Sequence, residues 1–284
     1  MTEFAERMVV RQPAPLPDKL PIPCVDAHAH LELIEDSSDN APTIDEVVAQ
    51  SISVGINRIV QVGYNADQSK WGVNLAEKYP GKILAAVAIH PNEAPIISDL
   101  EGDLKIIEEL ATHPRVRAIG ETGLDFFRTQ PELQEKQRYS FKRHIEIAKK
   151  YGKALVIHDR DAHDAVLDVL DEVGAPKITV FHCFSGDARM AEKCIEKGYY
   201  LSFSGTVTFK NAPALRDAAL ITPKHLLLAE TDSPFLCPAP HRGALNTPAQ
   251  TAAVIQFLAE LRQEPITDLI SAINQNVEKI FGEF

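Results

Sequence analysis

The stretch "IPCVDAHAH", residues 22–30, runs from small and β-branched residues into Asp26, His28 and His30 at every second position. In an extended strand alternate side chains share a face, so both imidazoles point the same way and Asp26 points with them. Two adjacent histidines make a poor apolar core and a good pair of metal ligands. Seven further runs of strand character follow: "INRIVQVG" (56–63), "KILAAVAIH" (82–90), "RVRAIGE" (115–121), "KALVIH" (153–158), "KITVFHC" (177–183), "YYLSFSG" (199–205) and "HLLLAETD" (225–232). Segments with apolar spacings of three and four separate them, and such segments predict helices. Thr43 with Glu46 reads as a capping box, and Gly152 and Gly174 as C-terminal stops. Eight strands alternating with helices indicate a parallel sheet. At about 250 residues the pattern has the size of an α/β (β/α)₈ TIM barrel. A doubly wound open sheet usually carries a glycine-rich phosphate loop after its first strand, and neither GxGxxG nor a Walker sequence occurs here.

The chain has 284 residues and a formal net charge of −11. That balance argues against a surface that wraps nucleic acid, but allows a locally positive pocket or bound cations. No apolar run approaches the ~20 residues of a membrane span, and the N-terminus lacks the apolar core of a secretory signal. Cys24, Cys183, Cys194 and Cys237 contain no CxxC pair, as expected of reduced thiols in a cytoplasmic protein. Cys183 beside His182 is a candidate thiolate, though a small buried residue is the plainer reading. Five prolines between Pro13 and Pro23 set residues 1–20 apart as an extended Pro-rich arm, with residues 21–284 forming the barrel domain.

The polar residues then fall on one rim. His28 and His30 end strand one, His90 strand three, Glu121 strand four and His158 strand five. His182 lies near the end of strand six, and Asp232 follows strand eight. The C-terminal ends of barrel strands carry catalytic groups. A lone strand-end histidine is usually structural; the set together points to metal. His113, His144, His163 and His225 read as structural, and His241, in the loop after strand eight, fits either role.

Four histidines and two carboxylates exceed one tetrahedral site, where catalytic zinc takes three protein ligands and a water. They suit two adjacent ions. His28 and His30 share a strand and one ion, while His158 and His182, from neighbouring strands, share the other. Glu121 is the natural bridge because a carboxylate offers two oxygens. Asp232 ligates the first ion and holds the attacking water. Mixed imidazole and carboxylate ligands fit Zn, Mn, Fe or Co, and Mg where phosphates join them. Asp26 has the parity of a residue that orients the histidines.

The motifs "VDAHAHLE", "AIHPNEA", "IGETGLDFF", "VIHDRDA", "FHCFSG", "TFKNAPALR" and "AETDSPFL" occur in this order. With them the chain resembles the TatD-like metal-dependent deoxyribonucleases of the amidohydrolase superfamily, over residues 22–284. The resemblance implies a two-metal (β/α)₈ hydrolase. His28, His30 and Asp232 would hold one ion, His158 and His182 the other, and Glu121 both. His90 resembles a pocket residue near the phosphate. The family commonly has a small residue where this chain has Asp159, an acid that either repels a phosphate or pairs with Arg160.

The reaction so implied is phosphodiester hydrolysis. Two divalent ions acidify a water, Asp232 takes its proton as general base, and DNA is cut at single strands or 3′ ends, as a 3′–5′ exonuclease or repair phosphodiesterase. Arg160 and Arg242, next to candidate site residues, would grip phosphates, with Arg128 and Lys210 also in predicted loops. Phe126, Phe127 and Phe209 offer stacking faces or ordinary packing. A competing reading keeps the site and changes the bond: an amide, lactone or ester, including aminoacyl-tRNA deacylation. Many binuclear amidohydrolases bridge their ions with a carboxylated lysine from strand four, where "RAIGETG" has Glu121 and no lysine. The acidic surface suits a monomer or small oligomer, without a membrane partner.

Overall fold

The structure is a computed structural model that describes residues 12–38 and 41–284. β1 (Cys24–Ala29) leads through a short α1 (Leu31–Glu35) to α2 (Ile44–Ser53), β2 (Ile56–Val62), α3 (Ala66–Lys78), β3 (Ile83–Val87) and α4 (Leu100–Leu110). β4 (Val116–Asp125), α5 (Gln134–Tyr151), β5 (Ala154–Arg160), α6 (His163–Val173), β6 (Thr179–Phe181) and α7 (Ala188–Glu196) follow. β7 (Tyr200–Phe203), α8 (Pro213–Ile221), β8 (Leu227–Ala229), α9 (Thr251–Arg262) and α10 (Ile266–Phe281) complete the chain. The strands lie in sequence order in one parallel sheet. The molecule is a (β/α)₈ TIM barrel, as the alternation predicts.

The sheet curls until its edges meet. β8 reaches β1 through a single bridge, Ala29 to Ser233, beyond the end of β8. Asp26 reinforces that seam. Its Oδ1 accepts from the Thr231 amide at 2.9 Å and from the His28 amide at 3.2 Å, and its Oδ2 accepts from the Thr231 hydroxyl at 2.5 Å. Asp26 thus orients the backbone of β1 rather than an imidazole ring. Burial dominates its acidity and pushes the carboxyl up to about 8, against these hydrogen bonds.

The strands are buried on both faces, as expected where helices cover a parallel sheet. α10 seals the base with Leu269, Ile270, Ile273, Val277 and Phe281. Burial of such side chains stabilises by about 1.5–3 kcal/mol each. Asn276 fastens that helix by donating to the carbonyls of Lys224 and Leu227. Thr43 and Glu46 form the expected capping box at α2, and Gly152 ends α5 in the left-handed region at φ 62°.

Several strands are shorter than their sequence patterns. β3 stops three residues before His90, β8 stops three before Asp232, and β6 stops just before His182. His30 lies one residue past β1, and His225 sits in a 3₁₀ turn before β8. These residues therefore sit on loops that leave the barrel top, or enter its base in the case of His225. Residues 12–20 run extended along the body. The Ala14 amide donates to the Leu245 carbonyl and the Leu245 amide to the Gln12 carbonyl, Gln250 donates to the Pro15 carbonyl, and Leu20 is buried beside Val54. Among the described residues no helix is long and apolar enough to cross a membrane.

Candidate metal centre

The barrel top opens into a cavity of about 1050 Å³, at the upper end of the range usual for ligand clefts. His30, His90, Glu121, His158, His182 and Asp232 line it, and Phe184, Leu215, Phe235 and Leu236 form an apolar side. His28 lies just beneath, fully buried.

Glu121 stands at the centre. Its Oε1 is 3.2 Å from His30 Nε2 and 3.8 Å from His28 Nε2. Its Oε2 is 2.7 Å from His182 Nε2 and 3.2 Å from His158 Nδ1. One carboxylate thus turns an oxygen to each histidine pair. Its strand is built for this approach. β4 loses register with β5 between Ile119 and Thr122. Gly123 holds φ +143°, where a Cβ would strike the His158 carbonyl oxygen. Only glycine fits that close approach.

Three histidines are fixed by the ring nitrogen that faces away. His30 Nδ1 donates to the Val62 carbonyl at 2.8 Å. His182 Nδ1 donates to Glu230 Oε1 at 3.2 Å, which also accepts the Cys183 amide at 2.7 Å. His158 donates from Nε2 to Asp125 Oδ2 at 3.2 Å, leaving Nδ1 toward Glu121. Ligand histidines in proteins are held in this way, which fixes the tautomer and raises basicity. His28 Nε2 and His30 Nε2 are 3.3 Å apart. A tetrahedron with metal–nitrogen bonds of ~2.0–2.1 Å has an edge of about 3.3 Å. Asp232 Oδ1 lies 3.8 Å from His28 Nε2 and 3.6 Å from His30 Nε2. The donor set and spacing fit a divalent ion between His28, His30 and Asp232.

The second group is less simple than the sequence reading. His28, Glu121 and His182 form one cluster with metal-ligand spacing, and His90, Glu121 and His158 another. His158 and His182 meet through Glu121 rather than in a cluster of their own. His90 Nε2 lies 3.3 Å from His158 Nδ1, but His90 Nδ1 accepts the Asn92 amide at 3.0 Å. A neutral imidazole that accepts at one nitrogen carries its proton on the other. Burial lowers the His90 pKa to about 3 against the pull of Glu121, so the ring is neutral. That makes His90 Nε2 a hydrogen-bond donor, in keeping with a pocket role.

Charge balances within the cluster. Burial would raise the Glu121 carboxyl, but the charge of His182 and hydrogen bonds from His158 and His182 hold it well below its usual range. Burial likewise opposes the low pKa of Asp232, and His30 with its neighbours prevails. His30 and His182 are driven well above the ordinary imidazole value by carboxylates that outweigh burial; burial carries His28 the other way. Cys183 and Asp232 have φ of 41° and 55°. Left-handed backbone outside glycine is uncommon and gathers at functional sites. Burial and the neighbouring carboxylates raise the Cys183 thiol well above its usual value, which argues against a thiolate nucleophile.

The flanking residues sort by position. Arg128 and Arg160 line the cavity, and the Arg160 guanidinium lies 4.0 Å over the exposed Phe127 ring. Arg242 lies on an exposed loop, 4.4 Å over Phe209, and is not part of the cavity wall. Its closeness to Asp232 is one of sequence, because the chain turns outward after Pro238. Phe126 packs on the core under Arg138. Asp159 pairs with His163 and not with Arg160. Glu230 and Asp125, which position His182 and His158, escaped the sequence reading. Their signal was parity: Glu230 is two residues before Asp232, and Asp125 is four after Glu121.

A family profile described as "TatD related DNase" matches residues 25–282. An uncharacterized metal-dependent hydrolase of Mycobacterium tuberculosis, TatD, is 38% identical over 91% of this chain and 97% of its own. The Escherichia coli metal-dependent hydrolase YcfH is 35% identical over 90% and 95%. The crystal structure of Escherichia coli YjjV, a TatD homologue, superposes with a TM-score of 0.82 at 30% identity, covering 91% of this chain and 97% of that one.

Proposed function

The chain belongs to the TatD-related DNase family of metal-dependent hydrolases, and on that premise we propose that it hydrolyses phosphodiester bonds of DNA with two divalent ions at the barrel top. The observation that carries this reading is Glu121, whose two oxygens face two different histidine groups. His28, His30 and Asp232 would hold one ion, and His158 and His182 the other, with Glu121 common to both. Bound there, the ions would supply Lewis acidity to a water and to the phosphoryl oxygens.

The chain's own residues do the rest. Asp232 projects into the cavity as a carboxylate kept ionised by the imidazoles around it, the state a general base needs. Glu230 and Asp125 keep His182 and His158 in one orientation. His90 donates toward the same space. Arg128 and Arg160 bring positive charge to the cavity of a chain with net charge −11, which favours an anionic substrate. Phe127, exposed beside Arg160, offers a face to an unpaired base. β4 carries no lysine to bridge ions as a carbamate, which favours the phosphodiester over the amide reading.

The test is direct. Purified protein reconstituted with Mg²⁺, Mn²⁺ or Zn²⁺ is incubated with end-labelled single-stranded DNA. Stepwise loss of label from the 3′ end is expected. Intact DNA with every ion, under conditions that load two metal equivalents, would overturn the proposal.

A further inference from the structure

Asp159 directly follows His158 on β5, and its carboxylate is almost buried. Left alone beside an anion site, it would repel substrate. Its Oδ2 instead accepts from His163 Nδ1 at 2.7 Å, one turn further on at the start of α6. The Ser185 hydroxyl donates to the Asp159 carbonyl at 2.9 Å, tying the loop before α7 to the same strand. Asp159, Arg160 and His163 all line the cavity that holds Glu121 and Asp232. The His163 side chain is 34% exposed, and among the described residues its Nε2 has no hydrogen-bond partner.

From this geometry we propose that His163, oriented by Asp159, is a substrate-binding residue that grips a phosphate flanking the scissile bond. The proposal rests on the phosphodiester reading above and adds a contact on the wall of β5 and α6. Asp159 fixes one ring nitrogen and supplies the counter-charge, so the other presents a donor to the cavity. An imidazolium donating to a phosphate oxygen makes a charge-assisted bond, stronger than a neutral one. Acids face His163: Asp159 on β5, Asp161 from the loop before α6, Asp164 beside it in the first turn of α6 and Asp187 from the loop before α7. The Asp159 hydrogen bond leads them in raising the imidazole above its usual value, against burial. Arg160 is drawn over Phe127 and leaves this carboxylate to His163. As pH rises through that elevated pKa the ring loses its charge and with it this grip.

Two diesters separate this role from a structural one. Single-stranded oligothymidylate has flanking phosphates, and bis(4-nitrophenyl) phosphate has none. For metal-loaded His163→Ala, KM for the oligonucleotide should rise about tenfold with kcat nearly unchanged. KM and kcat for the small diester should match the parent, which also reports an intact fold. Asp159→Asn should shift the oligonucleotide KM in the same direction. Equilibrium binding of a fluorescent oligothymidylate to metal-loaded Asp232→Asn protein should weaken from pH 6 to pH 9, and adding His163→Ala should remove most of that slope. Equal losses on both diesters, or unaltered oligonucleotide binding, would overturn the proposal. A parent protein that cleaves neither diester but binds oligothymidylate through His163 would sink the phosphodiester reading and leave this contact standing.

Discussion

Glu121 and His182 meet at 2.7 Å, Oε2 to Nε2, while the other oxygen of the same carboxylate stands 3.2 Å from His30. Shortening or neutralising this side chain removes a ligand from two groups at once. Glu121→Gln keeps the shape and supplies one oxygen in place of two. The expected result is fewer than two bound metal equivalents and a fall in turnover of at least ~100-fold. Metal analysis of the dialysed variant, alongside steady-state assays, checks both parts.

Glu230 never reaches the cavity, yet it holds His182 Nδ1 and the Cys183 amide. Glu230→Gln should weaken metal binding by about 10–100-fold, the usual effect of losing a partner behind a ligand histidine. Competition with a chromogenic chelator measures this. Unaltered affinity would show that the hydrogen bond does not tune the ligand.

Asp232 is the candidate base, set at φ 55° on a tight turn after β8. Asp232→Asn should cut kcat by about 10²–10⁴-fold, the range expected for general-base catalysis. The thermal midpoint of the fully metal-loaded protein should stay close to the parent's. Wild-type turnover in the variant would remove Asp232 from the chemistry.

His144 gives a pH dependence apart from the metal ligands. It is fully buried in α5, donates from Nδ1 to the Ser140 carbonyl and accepts the Ile89 amide at Nε2. Burial depresses its pKa from 6.5 to about 4. Between those values the unfolded chain binds the proton that the folded chain refuses, so stability is complete above pH 6.5 and falls toward pH 4. The loss is on the order of 3 kcal/mol. Urea denaturation from pH 4.5 to 7.5 should show a shallower slope for His144→Gln than for the parent, which isolates this group from the carboxylates that also titrate in acid.

Gly123 carries the close approach of β4 to β5. Gly123→Ala adds a Cβ against the His158 carbonyl at a backbone angle that side chains rarely adopt. A destabilisation of about 1–3 kcal/mol is expected, with weaker metal binding because His158 and Glu121 flank the clash. Chemical denaturation with and without added metal tests the two effects separately.

The sequence made the barrel legible because strand and helix periods alternate without a break, and because the ligand types recur at strand ends. His28, His30, Glu121, His158, His182 and Asp232 do converge, since parallel strands of one barrel share a rim. Other residues were opaque for physical reasons. Glu230 and Asp125 look like ordinary loop acids until the imidazole each one holds is folded against it. His163 looks like a first-turn helix residue until β5 brings Asp159 beneath it. Arg242 is near Asp232 in sequence and out on an exposed loop in space, because nearness along a loop says little about direction. The Pro-rich run has no period to betray that residues 12–20 bind the barrel through backbone hydrogen bonds.

The seam between β1 and β8 is thin. One backbone bridge and the Asp26 contacts join chain segments 205 positions apart, where other neighbouring strands share a ladder. His28 and His30 lie on one lip of that seam and Asp232 on the other. An ion held by these three would act as a clasp on the barrel as well as a reagent within it. Loading the metal and locking the two ends of the fold together would then be one event. Removing the metal would weaken that closure along with the chemistry.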